Sequence, residues 1–295
     1  MNDEKDNLLR PKIIGLSHMT FQSSEIERTL AFYRNVLGYE EVLRLNGPDG
    51  QLSHALVRIN DRQWIELRPE HTPKSDRLIQ FGFQVEDAEV LRSFLASKNV
   101  KVPDLISIGE TGNKSFYVKD PDGHTVEFIQ YIPKGWPLRE AGKSPGAKAL
   151  SNCLMHIGFD VFSMDRSMSF YRDILGCVEM WRGSSDDKTL AWVQLRLSDD
   201  INYIEFMLYD ESLSLESLGI FNHFGLEVSS MSATMEEVSK RLSSREYPRT
   251  VEYGIGKCHH RLANVFDHDG TRVEFMERKT FDGAVTPSST LPPPR

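Results

Sequence analysis

Cysteine is scarce in this chain: three residues, Cys153, Cys177 and Cys258, all lie in the second half at irregular spacing. An odd, sparse set supplies neither a disulfide framework nor a zinc-finger pattern, so free thiols are expected. No apolar run is long enough to cross a bilayer, and the opening MNDEKDNLLRPK is polar and charged, unlike a secretory leader. The expectation is a cytoplasmic protein with no membrane partner, with the proviso that removal of an export signal would leave the same start. Basic charge is short as well. Lys and Arg number 35 against 43 Asp and Glu, a net charge of −8, and no basic cluster stands out. That excludes a nucleic-acid-binding face.

What is present is ordinary for a soluble globular protein: 39% hydrophobic and 26% charged residues. The length of 295 residues suits two domains of common size, each able to bury a core without disulfides. Internal similarity then organises the chain. LAFYRNVLG at 30–38 is matched by MSFYRDILG at 168–176, and DPDGHTVEF at 120–128 by DHDGTRVEF at 267–275. Two matches in the same order indicate a duplicated domain, with about nine extra residues inside the second copy. Between the copies, residues 134–150 are rich in Pro, Gly and Lys and read as a linker. The Pro/Ser segment 279–295 has little to bury and is expected to be disordered.

Each copy reads as two sub-units. The first opens with an apolar strand near 13–21, followed by a helix that Ser23 or Ser24 can cap and Gly38 closes. Alternating strands are predicted near 52–59 and 63–69. The cycle restarts with a strand at 78–85, a helix over 88–98 and strands near 114–120 and 124–130, the last preceded by the DPDG turn. Residues 151–278 repeat this order.

Within these strands polar residues recur in register. The first copy carries His18, Glu66, Gln80 and Glu127; the second carries His156, Glu205, His223 and Glu274. A carboxylate set among Ile, Val, Phe and Leu is costly to bury unless it is paired or bound to a cation. A strand alternates its faces, so these polar side chains can converge inside a cupped sheet while their neighbours face away. Imidazole with carboxylate suits Fe(II), Mn, Ni or Zn.

The element order, the FYxxxLG helix, the DPDG turn and the terminal VEF strand resemble the vicinal oxygen chelate superfamily. That group includes glyoxalase I, fosfomycin-resistance proteins, bleomycin-resistance binders, methylmalonyl-CoA epimerase and extradiol dioxygenases. The resemblance covers about residues 13–133 and 151–278. It implies an α+β fold of tandem paired βαβββ modules forming cupped mixed sheets, one domain at 13–133 and a second at 151–278. It also implies a divalent metal, Fe(II) first and Ni, Zn or Mn as alternatives, and a small substrate with adjacent oxygens.

Two arrangements of that metal are open. If each copy closes on itself, as the resemblance to extradiol dioxygenases implies, His156, His223 and Glu274 meet, with Glu205 as a fourth ligand or a base. If sheets pair across copies, as in glyoxalase-type relatives, His18 joins His223 and Glu274 with Glu66 near, and Gln80, Glu127, His156 and Glu205 face one another. The leading activity is extradiol-type ring cleavage; a glyoxalase-like lyase or isomerase comes second, and a metal-free binder third. Extradiol relatives place an acid His and a Tyr shortly before the final Glu strand. Here Ile255 and Asn264 stand at those places, with His259 and His260 as nearby substitutes and Tyr117 at the matching position of the first copy. His54, His71, His124 and His268 are expected at the surface. Trp64, Phe81, Phe83, Tyr117 and Trp192 are candidates for lining a pocket for an aromatic substrate. A homodimer through the first copy is a further expectation.

Overall fold

The computed structural model describes residues 10–70, 75–143, 146–210, 212–243 and 247–294. His71 lies outside the described residues. In the first copy the chain forms β1 (Ile13–Ser23), α1 (Ile26–Phe32), β2 (Glu41–Asn46), β3 (Leu52–Arg58) and β4 (Trp64–Pro69). It continues through β5 (Leu78–Val85), α2 (Ala88–Ser97), β6 (Ser107–Ile108), β7 (Lys114–Lys119) and β8 (Thr125–Gln130). After α3 (Trp136–Arg139), the second copy gives β9 (Leu154–Val161), α4 (Met164–Met168), β10 (Val178–Gly183), β11 (Trp192–Arg196) and β12 (Tyr203–Leu208). It ends with α5 (Leu215–Phe221), β13 (His223–Glu227), α6 (Met231–Leu242), β14 (Tyr253–Ile255), β15 (His260–Phe266) and β16 (Arg272–Thr280).

Each copy builds its own eight-stranded sheet, in the orders β2-β3-β4-β1-β5-β8-β7-β6 and β10-β11-β12-β9-β13-β16-β15-β14. The centre of each is the antiparallel pair of its two sub-units, β1 with β5 and β9 with β13, flanked by parallel partners. The strands close within each copy, which overturns the cross-copy arrangement of ligands. The reason is register: His223 lies opposite Gly158 and His156 opposite Gly225, while His18 lies opposite Gly82.

The two sheets turn their apolar faces to each other and share a core. Phe81 of β5 stacks on Phe159 of β9 with centroids 4.6 Å apart, and Phe21 approaches Phe224 at 6.1 Å. Burying each such ring contributes about 1.5–3 kcal/mol. Phe81 and Phe83 therefore belong to this core, not to a ligand pocket. Two buried amides stitch the seam: Gln63 accepts from Leu154 N at 2.9 Å, and Asn202 accepts from Leu16 N at 3.0 Å. The cups face outward, away from the shared core.

Several local expectations change. The first helix is short and passes into a π-helical turn at Tyr33–Leu37, closed by Gly38 at φ 84°. Glu25, not a serine, occupies its N-cap; Ser23 and Ser24 instead donate to Asp269 of the second copy. The connector between copies holds the helical turn α3, because Trp136 is buried and the Arg58 guanidinium lies over its ring at 4.7 Å. The tail is not loose either. Ser289 N donates to Arg182 O, and Leu190 N to Pro292 O, so the Pro-rich segment lies against the second copy without forming a strand.

Candidate metal centre

On β9 and β13 the same three-residue pattern occurs, His156-Ile157-Gly158 and His223-Phe224-Gly225. Each imidazole packs over the glycine of the other strand. A Cβ on Gly158 would come within 1.9 Å of the His223 ring, and one on Gly225 within 1.9 Å of the His156 ring. The glycines thus leave room for both rings, which meet edge to face at 77° with their Nε2 atoms 3.1 Å apart. Glu274, opposite Gly225 on β16, brings Oε1 to 3.6 Å from His156 Nε2. The donor atoms of His156, His223 and Glu274 lie within 4.8 Å of one another, and all three residues are buried. Glu205 on β12 brings Oε2 to 3.6 Å from His223 Nε2, while its Oε1 accepts from Gln194 at 2.8 Å.

Burial dominates the electrostatics of the centre, with Arg272 the nearest charge. Burial, then the Arg272 charge, lowers the His156 pKa to about 3, and the same causes hold His223 well below its ordinary value. Both rings are therefore neutral, with lone pairs available. His223 Nδ1 donates to Phe221 O at 2.7 Å, which leaves Nε2 as the lone-pair atom aimed inward. Burial pushes Glu274 up to about 7 despite Arg272, with Glu205 adding to the rise. Burial likewise raises Glu205, which the Gln194 hydrogen bond only partly offsets. Two inward imidazoles and buried carboxylates held at this cost fit a divalent cation, which would restore the charged form of the acids.

The first cup holds the corresponding residues in a different state. His18 stacks on Trp64 (4.9 Å, 4°), as His156 stacks on Tyr203 (4.6 Å, 20°). His18 Nε2 lies 3.2 Å from Glu127 Oε2, and Gln80 Nε2 donates to the same oxygen at 3.2 Å. Burial raises Glu127, but hydrogen bonds from His18, Ser115 and Tyr117 outweigh it and the carboxyl ends below its usual range. Glu66 accepts from Arg68 at 2.7 Å; burial nevertheless keeps it raised. His54, expected at the surface, is buried in this cup, 3.5 Å from Glu66 and 2.8 Å from Glu110. Burial lowers its pKa to about 4. Tyr117 and Trp64 line the first cup, as expected for pocket aromatics.

A cavity of about 210 Å³ opens beside the second centre, walled by Trp181 and Trp192 and floored by Glu205, Glu274 and Arg272. His259 and His260 are not brought to it. His259 is part-exposed with φ 60°, and His260 Nδ1 donates to Glu277 O at 2.8 Å; Lys257 and Cys258 from the same loop line the cavity instead. Asn264 lies opposite Glu274, as Tyr117 lies opposite Glu127. His124 is also not a surface residue: it bridges Asp120 (2.9 Å) and Asp160 (3.1 Å) across the two copies. His268 is largely covered, beside Asp269 at 3.4 Å. Sequence reading missed Arg272 and the paired glycines. The repeated His-x-Gly was a legible signal for the latter; nothing local announced the former.

A family model described as the Glyoxalase/Bleomycin resistance protein/Dioxygenase superfamily matches residues 15–128 and 154–275. Among curated proteins, the metallothiol transferase FosB of Lysinibacillus sphaericus (strain C3-41) is 29% identical over 120 residues, 39% of this chain and 80% of that protein. Among solved structures, the 2,3-dioxygenase LapB from Pseudomonas sp. KL28 aligns with TM-score 0.67 and 20% identity, over 91% of this chain and 93% of its own. The Mn(II)-bound glyoxalase from Novosphingobium aromaticivorans aligns with TM-score 0.68 and 17% identity, over 90% and 83%. Identities this low speak for the fold and leave the reaction to the site.

Proposed function

The chain belongs to the Glyoxalase/Bleomycin resistance protein/Dioxygenase superfamily, and on that premise we propose that its second copy is a metal-dependent enzyme site for small substrates with two adjacent oxygens, with extradiol-type ring cleavage as the reaction. The observation that carries this reading is the buried trio His156, His223 and Glu274. Two imidazoles and one carboxylate with open positions form the donor set associated with non-haem Fe(II) oxygenases. A bound divalent ion would act as a Lewis acid toward adjacent substrate oxygens and, as Fe(II), would leave a position for dioxygen.

The chain's own contributions are positional. Phe221 O fixes the His223 tautomer, and the Tyr203 ring holds His156 flat by stacking. Trp181 and Trp192 wall the cavity. Asn264 offers an amide opposite Glu274. Cys258 stays a thiol, since burial pushes it up to about 11. The first copy, in this reading, is scaffold.

A second reading has its own observation. Glu205 stands within 3.6 Å of His223 as a fourth ligand or a base, which suits a glyoxalase-like lyase or isomerase that moves a proton. Metal analysis of protein purified without an affinity tag, joined to oxygen-uptake assays, separates the two. Ring cleavage expects Fe(II) near one per chain and oxygen consumption with catechol. Nickel or zinc with proton exchange and no oxygen uptake would transfer the assignment to the second reading. Failure to take up any divalent metal would end both.

A further inference from the structure

Arg272 is the residue the proposed chemistry does not use. It begins β16, two residues before Glu274 and on the same face, and the matching position of the first copy is Thr125. Its Nη2 lies 2.7 Å from both ring nitrogens of His223. Its Nε is buried without a hydrogen-bond partner among the described residues. The contrast with the first cup is direct. There Arg68 donates from Nε to Glu66 at 2.7 Å, and the second copy has Met207 at the Arg68 position, opposite Trp192. The second cup has thus lost the arginine that pairs with its own carboxylate and gained one that does not: among the described residues no hydrogen bond joins Arg272 to Glu205 or Glu274.

Equidistant from the two nitrogens of one ring, Nη2 lies against the ring and off the Nε2 lone-pair axis, so its charge sits beside the place an ion would take. An ion held by His156, His223 and Glu274 would repel the Arg272 head toward the adjoining cavity, which Arg272 already lines. Two features define what could meet it there. Trp181 and Trp192 lie nearly parallel, 19° apart with centroids separated by 6.4 Å, and give the cavity an aromatic wall. Lys257, about half exposed and 3.6 Å from Asp187, also reaches the lining. At about 210 Å³ the space is smaller than the pockets of drug-sized ligands, which start near 300 Å³, and suits a single substituted ring. The planar fork of an arginine matches a carboxylate in two parallel hydrogen bonds.

We propose that Arg272 is a specificity-determining residue that holds a carboxylate substituent of the substrate, so that the second cup selects ring acids bearing vicinal hydroxyls over their neutral counterparts. The proposal rests on the metal-site reading above and names its substrate class. It also makes Arg272 a competitor of the metal: its withdrawal from His223 is opposed by whatever holds it in the ion-free protein, so neutralising it should tighten metal binding.

Quenching of tryptophan fluorescence, with Trp181 and Trp192 in the wall, reads binding without turnover. Catechol and 3,4-dihydroxybenzoate would be titrated into the wild-type full chain, R272Q and R272K, each loaded with Mn(II) under nitrogen, with thermal melts to verify folding. The expected result is a preference of about tenfold or more for the dihydroxybenzoate in the wild type, the scale of one charge-assisted pair. R272Q should lose the preference and R272K should keep part of it, while R272Q retains or gains Mn(II) affinity by calorimetry. An equal preference in wild type and R272Q, or no preference in the wild type, would overturn the assignment. A parallel titration of metal-free protein with benzoate and benzyl alcohol keeps the two questions apart. If no metal binds, the enzyme reading falls, yet an Arg272-dependent preference for benzoate would still support the anion site, and its absence would refute it.

Discussion

The two cups of this protein are the same fold carrying matching ordered sets of polar residues, yet they pair those residues differently. In the first, His18 and Gln80 meet Glu127 and Arg68 meets Glu66, so each buried acid has a side-chain partner, although burial still keeps Glu66 raised. In the second, neutral His156 and His223 face each other, and Glu274 is held near 7 by burial. The difference traces to few positions: Gln80 against His223, Thr20 against Gly158, Arg68 against Met207 and Thr125 against Arg272. Under the proposed function, the cup whose acids find side-chain partners has less need of an ion, and the cup with two neutral imidazoles beside raised acids is the one that would receive it.

The largest effect should come from removing the same glutamate in each cup. Glu274→Gln is expected to lower metal affinity at the main site by about 100-fold or more, since it deletes a direct ligand, while the metal-free protein stays at least as stable. Burial raises Glu274, so its charged form opposes folding, and the neutral amide relieves that cost. Glu127→Gln should do the reverse. It leaves metal stoichiometry unchanged and costs about 1–3 kcal/mol, because His18 loses its partner in a buried site. Calorimetric metal titration and denaturant unfolding on both variants check the crossing pattern. Retained stoichiometric metal in Glu274→Gln would break the comparison.

A smaller but more pointed effect is expected from converting the first cup. Thr20 lies opposite Gln80, at the place where Gly158 makes room for His223. Gln80→His alone should therefore strain the β1–β5 pair and bind nothing new. The double substitution Thr20→Gly with Gln80→His supplies both the imidazole and its notch, and should add a second, weaker equivalent of metal. Arg68 still neutralises Glu66 there, and further replacement by Met should strengthen the new site. Metal per chain by elemental analysis, moving from about one toward two only in the double and triple variants, is the expected series.

Much of this contrast was legible from sequence, and what was not has physical causes. The duplication, the polar set and most strand positions follow from alternation and repeat, because a carboxylate flanked by Val and Phe has few ways to be buried. The choice between closure within a copy and across copies was not legible. It depends on which apolar faces meet, and both β1 and β9 are buried along nearly their whole length. The edge strands β2 and β6 escaped detection, since β2 is only partly buried and β6 is exposed, and both carry little hydrophobic signal. His124 and His54 read as surface residues because their burial partners are remote in sequence: Asp160 in one case and Glu110 in the other. Pairwise chemistry between distant segments leaves no periodicity to read.

The equivalent hairpin turns before β8 and β16 supply a further test, one of stability alone. Each reaches into the opposite copy, but with different chemistry. His124 bridges Asp120 and Asp160, whereas in the second copy Thr271 accepts from Arg77 at 3.3 Å and Asp269 accepts from Ser23 at 2.7 Å. Burial opposes the charge on His124, but the two aspartates outweigh it and raise its pKa to about 10. A histidine whose folded value lies above its unfolded 6.5 contributes fully below that pH and loses its contribution as the pH climbs through 10. Asp120 is depressed by the same contact despite its burial, so its share is present above the ordinary 3.8 and fades as the pH falls below that. Asp76 and Asp122 face the same cluster, both raised by burial, and would add repulsion once His124 is neutral. The His124→Gln variant should accordingly lose about 3 kcal/mol at pH 6 and converge on the wild type near pH 10. His268→Gln, at the other turn, should change stability by about 0.5 kcal/mol or less. Urea unfolding of both variants across this pH range measures it. A His124 variant as stable as the wild type at pH 6 would show that the two copies are held together by their shared apolar core and not by this bridge.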